Sequence, residues 1–326
     1  MPSYLVTGAA GFIGACISEF LLQEGHNVLG IDNLNDAYDI RLKEYRLQKL
    51  QSRPNFTFLR LDIAEREVLL RHPILTATQF DAILNLAARA GVRASLQNPW
   101  LFYETNVIGT LNLLELCRRC GIPKFLQAST STVYGLNAPI PTPETASTDN
   151  PPQPYAASKK AAETLCYTYH SLYGLDISIV RYFTVYGPAG RPDMSMFRFI
   201  QWITEGKPVQ LYGDGEQSRG FTYVDDIARG SLAALKPVGF DIFNLGGHEA
   251  IRMKDLISLL EERIGKQAIV QHLPPNPGEL SANLADVSKA RRLLGWEPEV
   301  SLQEGIQRTI AWYNAERTWA KEVFTQ

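Results

Sequence analysis

The chain has 326 residues, of which 45% are apolar and 20% are charged, and its formal net charge is −2. This composition is typical of a folded globular protein, and the length suits one large α/β domain with a smaller one. The near-neutral charge provides no global positive field for nucleic acid. No apolar run is long enough to cross a bilayer, and the first residues are typical of a strand rather than a signal peptide. We therefore expect a cytoplasmic protein that has neither a nucleic-acid nor a membrane partner.

The first half of the chain alternates between short apolar runs and helical stretches. The runs with strand character are YLVTGAA, NVLGID, FTFLRLD, DAILNLAA, KFLQAST and DISIVRYF. The intervening helical stretches include FIGACISEFLLQEG, AYDIRLKEYRLQKLQ, FYETNVIGTLNLLELCRRCG and YAASKKAAETLCYTYHSLYG. This alternation predicts an α/β protein with a Rossmann-type, doubly wound parallel sheet.

The pattern changes after about Tyr182, where loops rich in Gly and Pro interrupt shorter helices and isolated strands. We predict a Rossmann domain over residues 1–182, to which a segment near 221–245 returns. Residues 183–326 are predicted to form a smaller, mainly substrate-binding α/β domain.

The cysteines and histidines do not indicate a metal site. Cys117 and Cys120 form a C-x-x-C pair at the end of a predicted helix, but no second pair accompanies them. The five histidines are scattered along the chain without metal-ligand spacing. We interpret the cysteines as small, partly buried helix residues.

Three glycines, Gly8, Gly11 and Gly14, follow the first predicted strand in VTGAAGFIG. Glycine lets the backbone approach a pyrophosphate, and the helix N-terminus offers free N–H groups. Asp32 ends the second predicted strand, at about the 20-residue spacing where a carboxylate accepts the hydroxyls of a ribose. Because an acid there repels a 2′-phosphate, the pattern favours NAD over NADP, although the glycines alone would also fit a tight turn.

Further cofactor contacts are predicted after the later strands. Asp62 and Ile63 would flank the adenine, and the small residues of NLAARAG would pass beneath the phosphates. The predicted cofactor-binding set is Gly8, Gly11, Phe12, Ile13, Gly14, Asp32, Asn33, Asn35, Asp62, Ile63, Leu86, Ala87, Ala88, Asn106, Ser129, Tyr155, Lys159, Tyr182 and Val185.

Tyr155 and Lys159 in YAASKK lie four residues apart, so a helix would place them one turn apart on the same face. A phenol with a pKa of about 10 is a poor base at neutral pH. A lysine ammonium and a positively charged nicotinamide ring would favour its phenolate. Thr130, at the end of the preceding strand, would offer a hydroxyl to the same substrate oxygen. We predict that these three catalytic residues remove a proton from a secondary alcohol while the cofactor takes the hydride.

Together these motifs resemble the extended short-chain dehydrogenases/reductases that act on nucleotide sugars, over essentially the whole chain. The shared stretches include VTGAAGFIG, ASTSTVYG, YAASK, GFTYVDDIA and PGELSANLADVSKARRLLGW. Within that family, GIDNLNDAYDIRLKEYRL and FTVYGPAGRPDM most resemble UDP-glucuronate 4-epimerases. The resemblance implies an NAD-dependent isomerase that oxidises the sugar at C4, lets the 4-keto intermediate rotate, and returns the hydride to its other face.

Two other activities of the family stay open, namely a UDP-glucose/UDP-galactose 4-epimerase and a UDP-glucuronate decarboxylase. The resembling dehydratases carry Asp-Glu where this chain has Ser131 and Thr132, so dehydration is not expected. Thr184 stands where UDP-galactose 4-epimerases usually have Asn, which favours an acidic sugar. A 4-keto glucuronate is a β-keto acid that loses CO2 readily, so an epimerase must hold its carboxylate. Ser131, Thr132 and Thr184 are the predicted contacts, with Arg93 at longer range.

The resemblance also implies how the nucleotide end of the substrate is bound. Arg191 and Arg219 would bind the diphosphate, Tyr212 would face the uracil, and Glu279 would accept the uridine ribose hydroxyls. Two departures from the family are Glu279, where Asp is more frequent, and Gly220, at a position usually held by Asp.

Two predicted helices, FYETNVIGTLNLLEL and AAETLCYTYHSLY, are apolar beyond a single stripe. Such a face is usually buried against a partner, and the resemblance implies a homodimer through a four-helix bundle. A nucleotide-sensing or scaffold protein without catalysis is the alternative from another class, and the retention of both Tyr155 and Lys159 disfavours it.

Overall fold

The structure is a computed structural model that describes residues 1–247, 249–274 and 281–325. Its strands are β1 (Ser3–Thr7), β2 (Asn27–Asp32), β3 (Phe56–Arg60), β4 (Ala82–Asn85), β5 (Lys124–Thr130), β6 (Asp176–Tyr182), β7 (Thr184–Tyr186), β8 (Pro208–Tyr212), β9 (Ser218–Tyr223), β10 (Phe240–Leu245), β11 (Ala250–Arg252), β12 (Ile269–Leu273) and β13 (Ala282–Asn283).

The α-helices are α1 (Phe12–Gln23), α2 (Ile40–Gln51), α3 (Arg66–Arg71), α4 (Pro73–Ala77), α5 (Val92–Gln97), α6 (Pro99–Tyr103), α7 (Gly109–Cys120), α8 (Pro154–Tyr173), α9 (Ser195–Glu205), α10 (Val224–Ala233), α11 (Met253–Ile264), α12 (Ser288–Leu294), α13 (Leu302–Ala315) and α14 (Arg317–Ala320). A π-helical turn, Glu104–Ile108, joins α6 to α7, and a 3-10 turn, Ser131–Tyr134, follows β5.

Seven parallel strands form the main sheet in the order β10-β6-β5-β4-β1-β2-β3. Successive side chains of one strand enter different cores, as Leu5 and Val6 of β1 do. One core contains Ile17 of α1 and Ile227 of α10, and the other contains Leu113 of α7. Helices therefore cover both faces of the sheet, and the predicted Rossmann-type fold is confirmed.

The strand order reverses between β1 and β4, which are neighbours at the centre of the sheet. In open α/β sheets, ligands bind outside the carboxyl ends of the strands at such a reversal. The fold therefore directs attention to the loop after β1 and the loop after β4.

A second, smaller layer of structure follows β6. Strand β9 pairs with β7, β11 and β13, and β8 pairs with β12. Helices α9, α11 and α13 pack with them around a separate apolar core that includes Phe199, Leu256 and Ile306. Within the same part of the chain, β10 joins the main sheet and α10 packs against α1. None of the helices that the structure describes is both long enough and apolar enough to cross a membrane.

Candidate active site

The glycine-rich loop between β1 and α1 is shaped for close contact with another group. Gly8 has a φ of +68°, and a Cβ atom on it would lie 2.8 Å from the backbone nitrogen of Ala87. A Cβ atom on Gly14 would overlap the carbonyl oxygen of Gly8. Only glycine fits at either position, so the loop closes tightly at the N-terminus of α1. This is the geometry that a dinucleotide pyrophosphate requires, and the loop therefore fits NAD.

A cleft with about 630 Å³ of empty space opens beside this loop. Ten of the predicted cofactor residues line it, namely Gly8, Gly11, Asp32, Asn33, Asn35, Asp62, Ile63, Leu86, Ala87 and Ala88. The sequence analysis missed other lining residues, which include Tyr38, Lys43, Ala90 and Thr105.

Asp32 stands at the end of β2 with its carboxylate held in place. It accepts hydrogen bonds from the backbone nitrogens of Ala10, at 3.2 Å, and Leu34, at 2.8 Å. The ammonium of Lys43 lies 4.0 Å from Oδ1, the oxygen that accepts from Leu34. Burial lowers the pKa of Lys43, and the Asp32 charge opposes that effect. A carboxylate fixed at this position fits the ribose hydroxyls of NAD.

The remaining predicted cofactor residues surround the cleft rather than line it. Phe12, Ile13 and Gly14 open α1. Asn106 donates to the Ser158 hydroxyl at 2.9 Å, and the Tyr182 hydroxyl shares a hydrogen bond with Ser231 at 2.8 Å. Ser129 and Val185 are buried.

The three predicted catalytic residues come together where β5 meets α8. Thr130 ends β5, and Tyr155 is the second residue of α8, which Pro154 begins. The Thr130 hydroxyl is close enough to the Tyr155 phenol to lower its pKa. Lys159 lies one helical turn further along and is only 3% exposed. The Tyr155 ring packs edge-on against Phe102, with the centroids 6.1 Å apart.

The electrostatics of this trio differ from the expectation that Lys159 lowers the pKa of the phenol. Burial raises the pKa of Tyr155 above its ordinary value of 10.0, and the nearby Thr130 hydroxyl and the Arg191 charge offset only part of this rise. Burial also lowers the pKa of Lys159 to about 8, although the nearby Glu163 carboxylate opposes that shift. Desolvation therefore outweighs pair attraction at both groups.

A buried ion pair joins the elements that carry the catalytic trio. Arg181 donates to both oxygens of Glu163, at 2.9 and 2.7 Å, and the Ser129 hydroxyl donates to Glu163 at 2.6 Å. Glu163 lies one turn beyond Lys159 on α8, Ser129 precedes Thr130 on β5, and Arg181 is on β6. The Arg181–Glu163 ion pair therefore connects α8, β5 and β6, and two of these elements, α8 and β5, carry the catalytic groups.

The residues predicted to bind the sugar carboxylate lie next to Thr130. The Thr130 and Thr132 hydroxyls share a hydrogen bond at 3.0 Å, and Asn283 donates to the Ser131 hydroxyl at 3.2 Å. Thr184 begins β7 directly after the main sheet and is partly exposed. This corner of the site thus presents neutral hydroxyls.

Arg191 lies between the cleft and the catalytic trio. It lines the cleft, donates to both oxygens of Asp193, at 3.0 and 2.6 Å, and its charge acts on Tyr155. Burial would raise the pKa of Asp193, but the Arg191 guanidinium lowers it below the ordinary value. Asp193 was not among the predicted residues, although it lies only two residues after Arg191.

The other predicted substrate contacts lie in separate parts of the chain. Arg93, on α5, donates to the Tyr212 hydroxyl at 3.1 Å, and its guanidinium lies 4.7 Å from the centre of that ring. Arg219 is on β9 and donates to the Ser218 carbonyl at 2.7 Å. Glu279 lies outside the described residues. Among the residues that are described, no group of three or more His, Cys, Asp or Glu side chains is placed to hold a metal ion.

Comparison with known proteins identifies the family. A family model described as GDP-mannose 4,6 dehydratase matches residues 5–309. The chain belongs to this family, within the extended short-chain dehydrogenases/reductases. A UDP-glucuronate 4-epimerase from Thermodesulfobacterium geofontis is 55% identical to it, over 96% of each chain.

Solved structures agree with this assignment. The UDP-glucuronic acid 4-epimerase of Bacillus cereus, in complex with UDP-glucuronic acid and NAD, superimposes with a TM-score of 0.90 at 38% identity, covering 96% of this chain and 99% of that one. The UDP-glucose 4-epimerase of Thermotoga maritima, with UDP-glucose, gives a TM-score of 0.89 at 33% identity, covering 97% and 99%.

Proposed function

We propose that this protein is an NAD-dependent isomerase that interconverts UDP-glucuronate and UDP-galacturonate by inverting C4 of the sugar. The observation that carries the proposal is the meeting of Thr130, at the end of β5, with Tyr155 and the buried Lys159, one turn apart on α8, in a protein whose glycine-rich cleft fits NAD. Such a site serves the oxidation of a secondary alcohol. The named epimerases described above support the choice of substrate.

Each catalytic side chain has a distinct part in the proposed reaction. Thr130 donates or accepts a hydrogen bond at the C4 oxygen and keeps it near the Tyr155 phenol. Tyr155 takes the hydroxyl proton from C4 as the carbonyl forms and gives it back as the new alcohol forms. Lys159 supplies a positive charge beneath the phenol. NAD, when bound, supplies the hydride acceptor and donor.

The hydroxyls beside the trio favour epimerisation over elimination. Ser131 and Thr132 are poor acids and bases at neutral pH, so they do not supply the acid that elimination of the C6 hydroxyl from a neutral hexose would need. As hydrogen-bond donors, they and Thr184 can hold a carboxylate away from alignment with the C4 carbonyl. This grip would limit loss of CO2 from the β-keto acid. Arg93, hydrogen-bonded to Tyr212, would act at longer range.

We also propose the division of labour that the sequence predicted. Residues 1–182 would bind NAD, since they supply all of the cleft lining except Arg191. Residues 183–326 would mainly bind the UDP-sugar, with Arg191 and Arg219 on the diphosphate and Tyr212 facing the uracil. Glu279 is the proposed acceptor of the uridine ribose hydroxyls. A cytoplasmic location stays a prediction.

A homodimer is part of the same proposal. The surface formed by α6, the π-helical turn and α8 exposes large apolar side chains, which are Trp100 (76% exposed), Tyr103 (41%), Ile108 (45%), Tyr167 (57%) and Leu172 (66%). A surface of this kind usually meets a partner. Symmetric pairing of two copies through it would bury all of these side chains.

The proposal is tested by incubating the purified protein with UDP-glucuronate and, separately, with UDP-glucose, and resolving the products. We expect UDP-galacturonate from the first reaction with little CO2, and little turnover in the second. Tyr155→Phe should retain NAD but lose activity by about 100- to 10,000-fold, the range for a lost general base. Tyr173→Phe, at the exposed C-terminal end of the same helix, is the matched control. Turnover of UDP-glucose alone, or of UDP-glucuronate mainly to a pentose, would refute the substrate assignment.

A further inference from the structure

The motif AYDIRLKEYRL leads into helix α2 and includes its first two turns. Its second arginine, Arg46, is buried and has no evident part in the chemistry. Arg46 is 5% exposed. Its guanidinium donates twice to the carbonyl oxygen of Ala189, at 3.0 and 2.6 Å. It also donates to the carbonyl oxygen of Ala10, at 3.0 Å, and to the Tyr38 hydroxyl, at 2.8 Å. A single side chain therefore bonds three separate segments.

The two carbonyl acceptors belong to the two loops that bound the proposed site. Ala10 lies between Gly8 and Gly11 in the glycine-rich loop, and its own nitrogen donates to Asp32. Ala189 lies two residues before Arg191. Its φ is +51°, a left-handed conformation that is costly for a residue with a Cβ atom. The two hydrogen bonds from Arg46 help to hold this unfavourable turn.

Arg46 is itself held in position by the aromatic rings near its guanidinium and by the packing of its helix. Its guanidinium lies 5.8 Å from the ring centre of Phe12 and 5.6 Å from that of Tyr38. One turn earlier on the same face of α2, Leu42 packs with Ala189, Phe197 and Val323 in a small apolar cluster. The helix therefore cannot easily follow a movement of either loop.

We infer that Arg46 is a positioning residue that holds the glycine-rich NAD loop and the Arg191 loop in register. This inference rests on the proposed function, because it takes the first loop to bind NAD and the second to bind the UDP diphosphate. Arg46 touches neither ligand in this arrangement, and it acts through the Ala10 and Ala189 carbonyls. Its loss should therefore weaken both ligands together.

The test compares Arg46→Met and Arg46→Lys with the parent protein in two binding measurements. UDP is titrated calorimetrically into NAD-loaded protein, and the loss of NAD is followed after rapid dilution. Because Arg46→Met removes every hydrogen bond from this side chain to the two loops, we expect it to weaken UDP binding and to speed NAD loss by at least about tenfold each. Arg46→Lys should shift both values less but in the same direction, because an ammonium lacks the planar fork.

The matched control is Arg41→Lys on the same helix, where the Arg41 side chain, among the described residues, bonds only to Asp39 and Glu322 at the surface. It should leave both measurements unchanged. If Arg46→Met does not fold, Arg46→Lys alone decides the matter. UDP affinity and NAD loss within twofold of the parent values would overturn the inference, as would an effect on NAD alone. A parent protein that converts UDP-glucuronate while the Arg46 variants bind normally would leave the proposed function intact.

Discussion

At the scale of single residues, the site holds the positive charge of Lys159 in a buried position, where a charged group is unfavourable. Lys159 is almost fully buried, and burial lowers its pKa from 10.5 to about 8. At pH 7 the ammonium is still largely present, so the folded protein bears the desolvation cost of a buried cation. Stability is thus reduced at the position where the proposed chemistry needs a positive charge beneath Tyr155.

This conflict predicts the behaviour of Lys159→Met. The variant should lose activity but be more stable than the parent at pH 7, by up to about 3 kcal/mol for a pKa shift of this size. Between pH 8 and 10.5 the unfolded parent binds more protons than the folded one, so the parent gains stability as the pH rises. The stability difference should therefore shrink from pH 7 to pH 10 in denaturant titrations. A variant less stable than the parent at pH 7 would contradict this description.

Sequence reasoning proposed the residues that short-range geometry brings together. Tyr155 and Lys159 share a helix turn, and Thr130 ends a strand, so local periodicity was sufficient to group them. It missed Lys43 and Arg46, because their partners depend on the fold. Arg46, for example, is 143 residues away from Ala189. No local pattern encodes such a contact.

At the scale of elements, β1, the glycine-rich loop and α1 act as one rigid unit. A methyl group on Gly14 would overlap the Gly8 carbonyl, so Gly14→Ala must displace the loop. We expect overpacking to lower the free energy of unfolding by about 1–3 kcal/mol. We also expect the variant to be purified with little bound NAD. NAD is measured by chromatography of the acid extract.

Gly265→Asn is the control for that experiment. Gly265 follows α11 with a φ of +73° and has no neighbours within 4 Å of an added Cβ atom. Because Asn tolerates the left-handed conformation, this variant should keep its NAD. A normal NAD content in Gly14→Ala would contradict this prediction, because it would show that the glycine-rich loop can accommodate a Cβ atom at this position and still bind NAD.

One predicted helix contains a turn that its sequence does not reveal. FYETNVIGTLNLLELCRRCG reads as a single helix, and the structure is helical without a break through α6 and α7, but the turn Glu104–Ile108 between them is π-helical. Gly109 packs so closely on Ile63 that a Cβ atom would lie 2.5 Å from that side chain. Asn106, within the turn, bonds the Arg89 backbone at 2.9 and 3.0 Å. Such tertiary contacts override helical periodicity.

At the scale of the whole molecule, the main sheet was predictable because its strands are continuous apolar runs between amphipathic helices. The second layer was less predictable from the sequence, because its strands are short and pair across long loops. Strand β9, for example, pairs with β7, β11 and β13 in both parallel and antiparallel senses. Periodicity within a segment carries no information about such pairings.

The exposed apolar surface yields a prediction at this scale. Trp100→Glu combined with Ile108→Glu should shift the protein from dimer to monomer in size-exclusion chromatography with light scattering, because buried, unpaired carboxylates are costly. Leu293→Glu changes an equally apolar but separate residue, 38% exposed on α12, and should leave the dimer intact. A parent protein that is already monomeric at micromolar concentration would refute the proposed interface.

The central claim is that one site removes the hydrogen at sugar C4 and returns it to the other face of the same carbon. UDP-glucuronate with deuterium at C4, converted in ordinary water and analysed by mass spectrometry and NMR, tests this claim most directly. The account predicts UDP-galacturonate that retains the deuterium at C4. Loss of the deuterium to water, or a product lacking the carboxylate, would contradict it.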